Sequence, residues 1–193
     1  MEKVKSIRFT LLILLFLQVG VYAQQPEIIR PGLIRAQLTI SPSYMFGDKH
    51  SYFYLHGNLE GFLNKKISVV GESYYYLGDQ TSNNSKYEYN HAVFFGFSRH
   101  FTKKNNDLYI GLQPGVSLTK LNANENNLTS SSIGVNPLFS TVVGYNFFVN
   151  RIFHFFIQTR FITGEHNYDI HQSLTELRFS AGLGFNLNVL KAK

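Results

Sequence analysis

The chain has 193 residues and a formal net charge of +6, with 18 phenylalanines, 12 tyrosines, no tryptophan and no cysteine. The lack of cysteine excludes a lipoprotein anchor and a disulfide framework. The basic excess is scattered over turns and termini and is accompanied by neither a basic helix nor a nucleic-acid motif, so we expect no nucleic-acid partner.

Residues 1–23 have the features of a secretory signal peptide. Three basic residues precede an apolar run from Leu11 to Leu17, and Val21-Tyr22-Ala23 supplies a cleavage position. The apolar run is shorter than the ~20 residues that a membrane-spanning helix needs. We therefore expect removal of residues 1–23, which lowers the net charge from +6 to +4. The remaining chain has the length of one domain.

The rest of the sequence alternates between apolar and polar side chains with the period of two that is typical of β-strands. Residues 24–33 come first and are predicted to form an irregular lead-in, because they carry two prolines and a glycine. A tail of residues 191–193 comes last. Between them, turn residues separate eight predicted strands: Ile34–Phe46, Tyr52–Leu63, Ile67–Leu77, His91–Phe101, Leu108–Leu118, Ile133–Phe147, Ile152–Thr163 and Leu174–Leu190.

The last predicted strand indicates whether the eight strands lie in water or in a membrane. Its apolar face is unbroken from Leu177 to Val189, while Glu176 and Arg178 share the other face with small residues and amides. An apolar face of this length suits a strand of about 9 to 11 residues that crosses a bilayer at a tilt. The charged face needs water or ionic partners and cannot meet lipid. The pattern therefore predicts a membrane strand whose polar face points into a barrel.

The same strand carries a family resemblance. The segment from Ser180 through Gly182 to Phe185 and Leu187 resembles the final-strand signal of bacterial outer-membrane barrels, in which a polar residue and a glycine precede two apolar residues spaced by one. It departs from many members by ending in a polar tail, Asn188–Lys193, and not in an aromatic residue. The resemblance implies recognition by the barrel-assembly machinery and contact with outer-membrane lipid and lipopolysaccharide.

In size, strand count and alternation the chain resembles the small OmpA/OmpX-type barrels. We therefore predict an all-β, eight-stranded antiparallel up-and-down transmembrane barrel spanning residues 34–190. An even number of hairpin-connected strands lets the last strand pair with the first, which removes the exposed edges that lipid cannot satisfy. Connections after strands 2, 4 and 6 are short, and those after strands 3, 5 and 7 are longer and polar. This places both termini in the periplasm and the protein in the outer membrane.

The parity of the alternation places six charged side chains inside the barrel. Cross-strand geometry predicts that Arg160 lies about opposite Glu176 and that Arg35 lies diagonally to Glu60. Balanced charges predict ion pairs and a plugged interior without a wide pore. The six residues of this predicted network are Arg35, Glu60, Glu72, Arg160, Glu176 and Arg178. Inward glycines at positions 111, 115, 182 and 184 would make room for them, and His56 and His154 are expected to form interior hydrogen bonds.

The sequence contains no recognisable catalytic, cofactor or metal motif. The last outer loop collects residue types found in hydrolases, but their spacing matches no known nucleophile or metal site: Glu165, His166, Asp169, His171 and Ser173. The preferred hypothesis is a non-enzymatic surface protein that presents polar loops. The alternatives are a narrow channel for ions or small solutes, a lipid A acyltransferase or deacylase, and a soluble lipocalin-like barrel of inverted polarity.

Overall fold

The computed structural model describes residues 28–79 and 85–190. The predicted signal peptide and the tail of residues 191–193 lie outside the described residues. Within the described ranges no helix is long and apolar enough to span a membrane. The strands are β1 Leu33–Met45, β2 His50–Phe62, β3 Ile67–Asp79, β4 Tyr87–Lys103, β5 Asn106–Leu121, β6 Ile133–Phe148, β7 Phe153–Asn167, β8 His171–Ser173 and β9 Glu176–Asn188.

Eight of these strands close into a barrel. Each of β1 to β7 pairs antiparallel with the next strand in sequence, and β9 pairs with both β7 and β1. The ring is therefore complete and leaves no strand edge unpaired along its wall. The short β8 lies outside this count, because it pairs only with the last residues of β7. These pairings confirm the predicted all-β, eight-stranded antiparallel barrel.

The two faces of the wall have opposite character. Along β1, Leu38 and Ile40 point outward and are 66% and 59% exposed, whereas Arg35 and Gln37 point inward and are buried. The same alternation continues around the ring, so that polar and charged groups fill the interior and leucine, isoleucine, valine and phenylalanine coat the outside. An apolar exterior of this extent is not stable in water and requires an apolar environment.

The structure corrects several predicted strand limits near the polar loops. Strand β4 begins at Tyr87 and not at His91, and β5 extends from Asn106 to Leu121. Strand β7 continues to Asn167, inside the stretch that was predicted to be a loop. In these segments the hairpins extend beyond the apolar band and the outward face carries polar residues such as Glu88, Lys120 and Glu165, so the alternation that defines a strand in the sequence is lost.

The two ends of the barrel differ, and we name them by their connections. The turn end carries the short connections of residues 63–66, 104–105 and 149–152, together with the start of β1 and the end of β9. The loop end carries the connections of residues 46–49, 80–86, 122–132 and 168–175, the last of which contains β8.

Each end is closed by its own apolar cluster. At the turn end, Ile28 and Ile29 of the lead-in are buried against Leu33, Phe62 and Phe148. Towards the loop end, a larger cluster is built on five tyrosines, one phenylalanine, one methionine and several aliphatic residues: Tyr52, Tyr54, Tyr74, Tyr76, Tyr87, Phe94, Met45, Ala92, Leu121, Leu138, Ile162 and Leu174. The described part of the predicted lead-in, residues 28–32, thus covers one mouth of the barrel.

Candidate functional site

The interior near the turn end is organised around Arg35. Arg35 and Glu60 are directly opposite each other on β1 and β2, and Arg35 Nε donates to Glu60 Oε2 over 2.7 Å. Arg35 Nη1 also donates to Asp107 Oδ2 over 3.0 Å. His100 lies between the two carboxylates, with Nε2 2.9 Å from Glu60 and Nδ1 3.0 Å from Asp107. For the imidazole to donate to both carboxylates, both of its ring nitrogens must carry a proton.

Sequence reasoning missed His100 of this network, and it also missed Asp107. It was predicted to end the turn after strand 4, but it lies in β5 and is fully buried. Its position two residues before Tyr109, on the inward parity of that strand, is the signal that could have revealed it.

The middle of the barrel is organised around Glu72 on β3. Arg160 of β7 donates to Glu72, and this ion pair is fully buried. His56 Nε2 lies 2.8 Å from the second carboxylate oxygen, and Gln158 donates to it over 3.1 Å. Glu72 lies one inward position nearer the barrel centre than Glu60, because it pairs with Asn58 in the β2–β3 register, and it binds a different set of residues.

Arg178 is the third interior arginine and lies towards the loop end. Its Nη2 donates to Glu176 Oε1 of the same strand over 2.5 Å. Its guanidinium carbon lies 3.9 Å from the ring centre of Tyr54 and 4.4 Å from that of Tyr74, so two aromatic faces stabilise the cation. The predicted pairing of Arg160 with Glu176 is wrong, because Arg160 lies opposite Arg178 in the β7–β9 register.

The inward glycines accommodate rings more than charges. A Cβ atom at Gly115 would collide with the ring of Phe94, and one at Gly184 would collide with His154. A third glycine, Gly144, holds the Tyr109 ring in the same way. His154 itself bonds Gln37, with 2.9 Å between their Nε2 atoms. The glycines were predicted to make room for the charged side chains. That prediction is wrong, because rings occupy most of the space beside them.

The residues of the predicted assembly signal lie together on β9. Ser180 points inward and donates to Ser41 of β1 over 3.0 Å, and Gly182 lies on the same inner face beside Phe156. Phe185 and Leu187 point outward and are exposed. The strand that carries the signal is thus the one that closes the ring, and the role of these residues in assembly stays a prediction.

The catalytic residue types of the last outer loop bond different partners. Ser173 Oγ donates to Thr175, and His171 Nδ1 lies 2.7 Å from Asn167 Oδ1. Asp169 accepts hydrogen bonds from Ser131 and Ser132 and so connects two loops. In residues 28–79 and 85–190, no group of three or more histidine, aspartate or glutamate side chains is arranged so that it could hold a metal ion.

No protein-family model matches the chain, and no curated protein sequence matches it. Solved structures of small barrels do match. Neisserial surface protein A aligns with a TM-score of 0.63 at 10% identity, covering 80% of this chain and 96% of that one. The N-terminal β-barrel domain of OprF from Pseudomonas aeruginosa aligns with a TM-score of 0.58 at 12% identity, covering 81% and 98%.

A third match is Ail, the attachment invasion locus protein of Yersinia pestis, with a TM-score of 0.52 at 15% identity, covering 81% of this chain and 99% of that one. These likenesses show that the chain has the fold of the small eight-stranded outer-membrane barrels, as its sequence predicts.

Proposed function

We propose that the protein is an integral outer-membrane barrel with a non-enzymatic role, and that it presents its polar loops for structural or recognition purposes. The observation that carries the proposal is the contrast between the two faces of the closed wall. Large apolar side chains coat the outside, while three arginines bonded to carboxylates fill the inside. Such a wall matches a lipid environment outside and leaves no continuous route for solute inside.

The orientation follows from the connections. Short turns at one end and longer polar loops at the other are the arrangement of barrels whose turns face the periplasm. The turn end then faces the periplasm, and the loop end, with Asn-rich residues 122–132, faces the outside of the cell. A cleaved signal peptide and delivery by the barrel-assembly machinery, read from β9, complete this proposal.

Recognition by the loop end is supported by hydrogen bonds that hold its loops to one another. Asp169 ties the β5–β6 loop to the connection between β7 and β8, and Asn126 donates to the backbone of Lys86 over 2.8 Å. Loops held to one another in this way present a defined surface. The partners that we propose for this surface are lipopolysaccharide and ligands outside the cell.

The experiment has two parts. Protein refolded into lipid vesicles should migrate faster on gels before heating than after it, and protease added to intact cells should cut within residues 122–132. Binding to purified lipopolysaccharide should then be lost when residues 123–130 are replaced by a short Gly-Ser linker that leaves heat-dependent migration unchanged. A protein that stays soluble without detergent, or loops that are cut only after the outer membrane is opened, would contradict the proposal.

A further inference from the structure

Exposed acidic side chains are confined to one end of the barrel. Among the described residues, every acidic side chain that is not buried lies at the loop end: Asp79, Glu88, Glu125, Glu165 and Asp169. At the turn end, Glu60 and Asp107 are buried in the interior network, and the exposed charged groups are basic. The turn end therefore presents a positive field without exposed carboxylates to neutralise it.

Arg99 is the most informative of these basic residues, because it lies on the apolar outer wall. Its Cα partners are Ile67 on β3 and Ile110 on β5, both outward-facing and exposed. The guanidinium carbon lies 5.7 Å from the ring centre of Phe101, which is nearer the turn end on the same face of β4. The side chain thus extends along the wall towards the turn end, as a snorkelling arginine does.

Arg99 has no carboxylate partner within residues 28–79 and 85–190. A cation on a lipid-facing wall needs an anionic partner or water at the headgroup level. Two lysines lie close to it in the fold. The carbonyl oxygen of Lys66 accepts a hydrogen bond from His100 N over 2.8 Å, which puts Lys66 beside Arg99, and Lys103 lies on the same outward face beyond Phe101. We call Lys66, Arg99 and Lys103 the basic patch.

An open depression lies on the same wall above the basic patch. Its volume is about 480 Å³. The outward-facing Gly57, Leu59, Gly71, Ser73 and Val93 line it, together with inward-facing residues that include Gln37 and Glu72. The depression forms because two outward positions are glycines, which have no side chain. A Cβ atom built at Gly71 would have its nearest neighbour, Phe95, at 3.9 Å, so the space above this residue is open. Gly71 follows Ile67, the partner of Arg99, by four positions along the strand, which is roughly 13 Å.

We propose that this outer face binds one anionic phospholipid. The phosphate lies at the basic patch, where a guanidinium and two ammonium groups can donate to its oxygens. One acyl chain runs along the wall over Val69 and fills the depression at Gly57 and Gly71. The proposal rests on the proposed function. Only a membrane barrel whose turn end faces the periplasm brings the basic patch to phospholipids in the periplasmic leaflet.

Charge complementarity selects an anionic lipid over a zwitterionic one. Each lysine or arginine near a negative membrane surface contributes on the order of 1 kcal/mol to binding. Removing two of the three patch charges should therefore weaken binding roughly tenfold or more. The loss should depend on the place of the charges and not on the net charge of the protein.

The test measures lipid retention by native mass spectrometry of the detergent-solubilised barrel, with phosphatidylglycerol and phosphatidylcholine of equal chain length as probes. The wild type should retain phosphatidylglycerol at roughly tenfold lower lipid concentration than phosphatidylcholine. Lys66→Gln/Arg99→Gln should lose this preference. Lys49→Gln/Lys86→Gln, which removes the same charge from the loop end, should keep it.

A second variant tests the acyl chain. Gly71→Leu should fill the depression and weaken retention of full-length phosphatidylglycerol, while leaving the weak binding of its deacylated headgroup unchanged. Equal retention of the two lipids by the wild type, equal losses in the two double variants, or equal affinity for lipid and headgroup would overturn the proposal. Heat-dependent gel migration is recorded for every variant, so failure to form a membrane barrel, which would overturn the proposed function, is seen separately.

Discussion

The guanidinium of Arg160 on β7 is bonded to the carboxylate of Glu72 on β3, and these strands lie on opposite sides of the eight-stranded ring. Arg35 on β1 and Asp107 on β5 form a second bond across the ring, a quarter-turn away in strand order. Two ion pairs thus cross the interior at different levels. They both fill the barrel and tie opposite walls together.

The first prediction concerns the Arg160–Glu72 pair. Glu72→Gln should destabilise the folded barrel by about 3 to 5 kcal/mol, because it leaves the Arg160 cation buried without its counter-ion. The double variant Glu72→Gln/Arg160→Gln should lose less, since no lone charge remains. Urea unfolding in lipid vesicles measures both. It is followed by circular dichroism, because the chain has no tryptophan to report unfolding by fluorescence. A double variant as unstable as the sum of the two single variants would show that the pair is not coupled.

The second prediction separates the observed pairing of Glu176 from the one expected from sequence. In a double-mutant cycle, Glu176→Gln and Arg178→Gln should have a coupling free energy of about 1 to 3 kcal/mol. Coupling between Glu176→Gln and Arg160→Gln should be clearly smaller, because Arg160 bonds Glu72. The same unfolding measurement serves for both cycles. A larger coupling with Arg160 would mean that the β7–β9 register is shifted by two residues.

Sequence alternation was enough to predict the barrel, its closure and the inward side of all six network residues. It was not enough to predict their partners, because ion pairing depends on register to within one inward position. Arg35 was expected diagonally to Glu60 and lies directly opposite it, and Arg160 faces Arg178 in place of Glu176. In both hairpins the turn centre differs from the predicted one by a single residue, which moves every cross-strand partner by two.

Contacts across the ring are even harder to predict from the sequence pattern than contacts between neighbouring strands. Asp107 and Arg35 are separated by 72 residues, and Glu72 and Arg160 by 88. Neither pair belongs to neighbouring strands, so no hairpin rule brings them together. The length and direction of the side chains inside the closed ring decide these contacts. The contacts can therefore be identified only from the three-dimensional structure.

A third prediction concerns the glycines. Gly144→Ala should destabilise the barrel by about 1 to 3 kcal/mol, because the new methyl group collides with the Tyr109 ring and displaces its hydrogen bond to Gln158. Gly61→Ala is the matched control, since a Cβ atom there meets nothing within 4 Å on the outer wall. Chemical unfolding of the two variants compares them directly. Equal stability would contradict the packing of Tyr109 against Gly144.

A fourth prediction concerns acid sensitivity at the loop end. The backbone N–H of Ser132 donates to Asp169 over 2.8 Å and holds the pKa of this carboxyl below its usual range. A lowered pKa in the folded state stabilises the loop contact above the ordinary pKa of aspartate, and the contribution is lost as the pH falls through the lowered value.

Protease cleavage within residues 122–132 should therefore accelerate in acid for the wild type, with an acid-stable protease used at every pH. Asp169→Ala should be cut rapidly at all pH values. Glu125→Ala, which removes an exposed acid from the cleaved β5–β6 loop itself, should behave as the wild type does. A wild-type cleavage rate that does not change between neutral and acidic pH would contradict the role of Asp169.

The central claim is that the ring is closed to solute by ion pairs that cross it. Single-channel recording in planar bilayers tests this claim most directly, with refolded wild-type protein and the variant Arg35→Ala/Arg160→Ala, which removes the arginine from both crossing pairs. The wild type should insert without stepwise conductance, and the variant should conduct if it folds, as judged by heat-dependent migration. A steady, uniform conductance of the wild type would contradict the account.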